Sequence, residues 1–195
     1  RAREDFRVLA REQRVETVLG KLPLRLQVDR VDQLADGSLL IIDYKSGRSE
    51  PRSWLGERPS LPQLPLYGVV SEGAVQALAF AQVRPRACAY RGLGRSEVVA
   101  GVSADIGKAT RGKADIDNWP DLLAAWRVTL EGLADDFVAG RAEVDPLNGN
   151  SCTWCGLQAL CRIDAMAEAG DAEVTESEGN VQEQGGGAPH EHRYC

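Results

Sequence analysis

Asp29, Asp43 and Lys45 place two carboxylates and an amine on one short stretch, LRLQVDRVDQLADGSLLIIDYKSG, from Leu24 to Gly47. Carboxylates facing each other repel unless a cation lies between them. Hard carboxylate oxygens are the ligands that magnesium or manganese prefers, and an adjacent lysine can polarise an attacking water or a substrate phosphate. The alternative reading is a surface hairpin with scattered charges.

Whether these groups meet depends on the elements that carry them. Leu24, Leu26 and Val28 alternate with polar residues, which predicts a half-buried strand. Leu39-Leu40-Ile41-Ile42 predicts a second strand, buried on both faces. Between them Ala35-Asp36-Gly37 suits a three-residue hairpin loop with Gly37 in the left-handed region. In that register Leu34 pairs with Ser38, Val31 faces Ile41 and Asp29 falls opposite Asp43. Lys45 then shares their face and Asp32 points away. A two-residue Asp-Gly turn would instead put Arg30 opposite Asp43 and send Asp29 to the other face.

Two further groups have spacing that could serve chemistry. Gln63 and Tyr67 lie four apart, on one face of a short helix predicted at about 60–72, with Pro65 tolerable only near its first turn. Taken alone, such a tyrosine is more commonly a packing residue. Cys152, Cys155 and Cys161 are spaced C-x-x-C and then by five intervening residues. Thiolates in that pattern suit zinc or an iron–sulfur cluster, with a disulfide or inert cysteines as the alternative. His190 and His192 are the only histidines, and a flexible tail could bring one back to complete a zinc site.

Together these motifs resemble the PD-(D/E)XK nuclease superfamily. The wording VDRVD…LADGSLLIIDYKSG is closest to the RecB-type nuclease domains of AddB and related DNA-repair proteins, in which a QxxxY motif follows the DYK strand. The C-terminal cysteine triad also occurs in the iron–sulfur nucleases of the AddB group. The resemblance covers most of residues 6–163 and implies an α/β, restriction-endonuclease-like fold. In that fold a mixed central sheet, an antiparallel meander plus further strands, is flanked by helices. It implies Asp29 and Asp43 as ligands of Mg2+ or Mn2+, Lys45 as the catalytic lysine, and Gln63 and Tyr67 as residues positioning the DNA strand. Cys152, Cys155 and Cys161 would hold a 4Fe-4S cluster, or alternatively Zn2+. The activity implied is metal-dependent exonucleolytic hydrolysis of DNA in repair and recombination, beside a helicase whose motor lies outside this chain.

In that family a fourth cysteine and a His-bearing helix lie upstream of the catalytic strands. No cysteine precedes Cys88 here, and the chain does not open on Met. Either it is the C-terminal portion of a longer protein or its site is incomplete, and little activity is expected of this chain alone. The expected organisation is a nuclease domain over 1–163, including the cysteine segment 152–161, followed by a disordered acidic tail over 164–195. Two other readings remain: a catalytically silent DNA-binding domain of the same fold, and a zinc-stabilised protein-interaction domain.

Composition is compatible with these readings and excludes others. With 195 residues and 43% hydrophobic content the chain suits one domain and a tail. No apolar run reaches the ~18 residues of a membrane span, and no secretory signal opens it, so a cytoplasmic protein is expected. The net charge of −6 is unevenly spread. Residues 164–195 hold eight acidic residues against one arginine, which leaves 22 basic and 21 acidic groups in the rest. The acidic total therefore does not argue against a nucleic-acid partner.

The remaining elements are predicted from pattern. Residues 6–19 read as one or two strands ahead of a turn at Gly20-Lys21-Leu22-Pro23, with a helix over 8–18 as the alternative, and Glu12 and Glu16 as solvated strand residues. Val75–Val83 is a strand leading into Ala87–Tyr90, in which Cys88 is expected to be a buried small hydrophobe. Residues 91–117 are Gly-rich and polar, a loop in which Lys108, Arg111 and Lys113 could touch phosphates. Asn118 and Pro120 start a helix whose stripe Trp119, Leu122, Leu123, Trp126, Leu130, Leu133 and Phe137 faces the core, closed by Gly140.

Overall fold

A computed structural model describes residues 5–85, 87–110, 116–148, 150–153 and 155–162. The acidic segment 164–195 with its histidines, and Arg111 and Lys113, lie outside the described residues. The chain divides into two compact units, Arg1–Ala142 and Glu143–Cys195. The cysteine segment, expected as part of the nuclease domain, belongs to the second.

The first unit is built on a six-stranded mixed sheet in the order β1-β2-β3-β4-β5-β6. Its strands are β1 (Phe6–Leu19), β2 (Leu22–Leu34), β3 (Leu39–Lys45), β4 (Val75–Gln82), β5 (Ala89–Gly94) and β6 (Val102–Ser103). The first three form an antiparallel meander; β3 and β4 are parallel, β4 and β5 antiparallel, and β5 and β6 parallel. The parallel β3–β4 step requires a crossover, and the segment 46–74 supplies it through a 3-10 turn (Pro51–Trp54) and helix α1 (Gln63–Val70). Pro65 falls in the first turn of α1, where no intrahelical bond is lost.

One face of the sheet carries the main core. Helix α3 (Trp119–Val138) lays Trp119, Leu122, Trp126, Leu130 and Ala134 on it, and the Asn118 side chain caps the helix by accepting from the Asp121 N–H at 3.0 Å. Trp54, Trp119, Trp126 and Phe80 form a chain of ring contacts with centroids 5.0–6.0 Å apart, in tilted and edge-to-face geometry. The other face is smaller, with Leu40, Ile42, Ala77 and Ala79 under Val98 and Val102. A central strand buried on both sides explains the uninterrupted apolar run of β3.

Several expectations need correction. Residues 91–117 are not one loop: β5 runs to Gly94, and β6 and a short helix α2 (Ile106–Thr110) follow. Val98, Val102 and Ile106 are the apolar residues that fold this stretch, too sparse to give a periodic signal. Cys88 is exposed rather than buried, because β5 begins only at Ala89. Phe137 is 72% exposed, since the last turn of α3 extends beyond the residues it packs on.

Strand β5 approaches β4 closely at Gly92, where an added Cβ would stand 2.2 Å from the Leu78 carbonyl oxygen and 2.9 Å from the Ala79 Cα. Backbone on both sides cannot yield as a side chain would. Gly92→Ala is therefore expected to cost about 1–3 kcal/mol, measured as a fall in the denaturant midpoint. An unchanged midpoint would contradict this strand pairing.

In the second unit, α4 (Asn150–Thr153) and α5 (Gln158–Cys161) are single turns joined through Gln158, whose side-chain amide donates to the Cys152 carbonyl at 2.7 Å. Cys152, Cys155 and Cys161 are half-buried free thiols.

Candidate active site

The turn chemistry of residues 34–38 determines which groups meet. Gly37 adopts φ +84, and the Leu34 N–H donates to the Ser38 carbonyl at 2.8 Å. The pairs Val31–Ile41 and Arg30–Ile42 follow, the paired register ends there, and Asp29 then lies close enough to Asp43 for its charge to act on that carboxyl. This is the three-residue-loop register. Asp32 lies on the opposite face, fully buried, with Oδ1 2.7 Å from Arg30 Nε. That contact pushes the Arg30 guanidinium pKa further up. Arg30 also lies over the Phe6 ring, at 5.6 Å, and donates to the Tyr44 hydroxyl.

Asp29 itself lies across from an unusual backbone conformation, while the register shift of this strand pair falls nearby, between Val8 and Ala10. Arg11 pairs with Arg30 and Gln13 with Val28, whereas Glu12 between them adopts φ +46, unusual for a side-chain-bearing residue. Strand β2 changes face here: Leu24, Leu26 and Val28 reach the main core at steps of two, but the next residue to do so is Val31. Such irregularities re-aim side chains. Asp29 Oδ2 accepts from the Tyr44 N–H at 2.9 Å and is held toward β3. Glu12 is exposed, as expected, and accepts from the Gln27 amide at 2.6 Å.

Asp43 is 1% exposed at the C-terminal end of the central strand, with Lys45 Nζ 2.8 Å from its Oδ2. Oδ2 is buried, and the Lys45 ammonium is the positive group that faces it. A chain of contacts then leads away from Lys45. Its Nζ is 3.4 Å from Gln63 Oε1, Gln63 Nε2 donates to the Tyr67 hydroxyl at 2.7 Å, and that hydroxyl donates to the Gln27 carbonyl at 2.6 Å. Tyr67 is buried, and burial, then the Asp29 and Asp43 charges, holds its hydroxyl above the usual phenol range. The five residues nominated from sequence thus stand together. The anchor that sequence reading missed is the Gln27 carbonyl, a backbone group invisible in residue types.

Burial pushes the Asp43 carboxyl above its ordinary value of 3.8; Lys45 opposes this and Asp29 adds to it. The folded state therefore holds the proton to higher pH than the unfolded chain, and stability falls as pH rises from 3.8 through the folded-state pKa. Asp43→Asn is accordingly expected to raise Tm by a few degrees at pH 8 in metal-free buffer. The gain should shrink as pH falls toward 3.8, where the carboxyl is neutral in both states. A lowered Tm at pH 8 would contradict this electrostatic picture.

Two neighbouring carboxylates that share one ammonium fit a magnesium or manganese ion, which takes one or two protein carboxylates and completes its shell with water and phosphate. No group of three His, Cys, Asp or Glu side chains converges on a metal position among the described residues. The paired carboxylates meet the lesser demand of magnesium. Cys152, Cys155 and Cys161 likewise form no such group among the described residues.

The family model of the PD-(D/E)XK nuclease superfamily matches residues 1–162. The chain belongs to that superfamily. Its members are typically nucleases, generally using Mg2+ or Mn2+, and the mixed sheet with flanking helices is consistent with their fold. No curated protein matches the chain. Among solved structures, SSO0001 is similar at 15% identity and a TM-score of 0.42, over 78% of this chain and 59% of that one. The chain thus spans less than two thirds of that protein. Among the described residues no helix is long and apolar enough to cross a membrane.

Proposed function

We propose that this superfamily member is a magnesium- or manganese-dependent deoxyribonuclease whose active site is Asp29, Asp43 and Lys45. The observation that carries the reading is the buried Asp43 carboxylate, ion-paired with Lys45 at 2.8 Å and set near Asp29 at the end of the central strand. Two carboxylates beside a single ammonium leave negative charge that a further cation would balance.

Asp29 and Asp43 would hold the ion, which when bound polarises the phosphate and acidifies a water. Asp29 is aimed for this by the Tyr44 N–H. Lys45, 29% exposed in its side chain, presents its ammonium to the attacking water or to charge developing on the phosphate. Gln63 Oε1 and, behind it, the Tyr67 hydroxyl keep that ammonium in place. Tyr67, being buried, orients Lys45 rather than touching DNA, and half-buried Gln63 is the member of the pair able to reach the strand.

The finer assignment, a RecB-type exonuclease working beside a helicase in repair and recombination, is supported by the wording of the DYK and QxxxY segments and by the cysteine spacing. No step above depends on a cluster. The test is cleavage of end-labelled linear and circular DNA by the purified chain with Mg2+ or Mn2+, with and without chelator. Metal-dependent loss of linear substrate alone is expected. A folded protein that binds DNA yet leaves it intact with either metal would instead be a silent binding domain.

A further inference from the structure

Beyond Lys45 the chain forms a second polar recess that the proposed chemistry does not use. It has a volume of about 460 Å3 and is lined by Arg48, Ser49, Arg52, Ser53, Ser60 and their neighbours. Its walls are rigid. The Gln82 amide donates to the Ser49 carbonyl at 2.6 Å, the Ser53 hydroxyl to the Glu50 carbonyl at 2.7 Å, and the Leu61 N–H to the Ser53 carbonyl at 3.1 Å. Beneath it Trp54 is 0% exposed.

The recess is lined by none of Asp29, Asp43, Lys45, Gln63 and Tyr67, but its Arg48 follows Lys45 by three residues in the chain. Gln82 is the register partner of Lys45. The Lys45 ammonium lies 5.9 Å from the centre of the Phe80 ring, which in turn packs 5.0 Å from Trp54. Arg48 and Arg52 are both exposed on this framework. The acid among the lining residues, Glu50, faces Arg91 at 3.8 Å, so the recess keeps a positive balance. Two guanidinium forks on a fixed loop suit a phosphodiester better than any neutral or cationic ligand.

We propose that this recess is a subsite for a backbone phosphate of the strand being cut, flanking the scissile one, with Arg48 and Arg52 as its ligands. This rests on the nuclease reading. The subsite fixes the register of the strand over Lys45 without reading bases, because phosphate contacts position and do not specify.

The experiment compares wild type, Arg48→Ala/Arg52→Ala, Arg48→Lys/Arg52→Lys and a charge-matched control, Lys21→Ala/Arg25→Ala, on the β1–β2 ribbon. Fluorescence anisotropy of a labelled oligonucleotide across a salt series gives Kd, and cleavage with Mg2+ gives KM and kcat. The alanine pair should raise Kd and KM ~10-fold or more, with kcat little changed, and flatten the salt slope by about one unit per arginine. The lysine pair should keep the salt slope but lose part of the affinity, and the control should bind more tightly than the alanine pair. Equal Kd and salt slope for wild type and the alanine pair would overturn the subsite while leaving the nuclease standing. A wild type that neither binds nor cuts DNA would overturn both.

Discussion

Asp43→Ala and Lys45→Ala should each lower the rate of DNA cleavage at least ~100-fold while DNA binding persists. The expectation follows from position. Asp43 is the buried member of the carboxylate pair, so removing it deletes the group proposed to hold the ion. Lys45 is the ammonium closest to that carboxylate, and both Gln63 and Tyr67 are spent on holding it. Neither loss should unfold the protein, because Asp43 is held charged against its environment and the Lys45 side chain is partly exposed. Circular dichroism and anisotropy measured on the same samples would separate lost chemistry from lost structure. Near-wild-type cleavage by both variants would sink the active-site assignment.

Trp126→Ala should cost about 3–5 kcal/mol of stability, the range for removing a large aromatic from a core. Trp126 is 3% exposed, lies edge-on to both Trp54 and Trp119, and donates its indole N–H to the Trp54 carbonyl at 2.9 Å. Truncation opens a cavity and also leaves that carbonyl buried without a donor. Trp126→Phe keeps much of the volume but not the hydrogen bond, and should fall between the two. Guanidinium denaturation gives both values. A loss under ~1 kcal/mol for the alanine variant would mean that α3 does not pack on the sheet as described. Because Trp54 also backs Phe80 and thus Lys45, the phenylalanine variant tests whether looseness in this core reaches the active site.

The sequence by itself determined the central hairpin and, through it, the acidic pair. A loop ending in Gly37 sets the parity of the pairing, and a side-chain period of two then decides which carboxylate faces Asp43. The buried character of β3 and the core stripe of α3 as far as Leu133 were legible for the same reason: periodicity reports burial directly. Tertiary structure decided the rest. Asp29 is held by the Tyr44 N–H across from Glu12, whose φ of +46 no residue type announces, since it is dictated by the paired strands and not by local preference. The hold on Lys45 runs through Tyr67 to the Gln27 carbonyl, a backbone atom supplied by a strand far back in the sequence. Segment 95–110 folds on three scattered apolar residues because a sheet face was there to receive them. Cys88 fell outside that sheet by one residue, and one residue is enough to turn a core position into an exposed thiol.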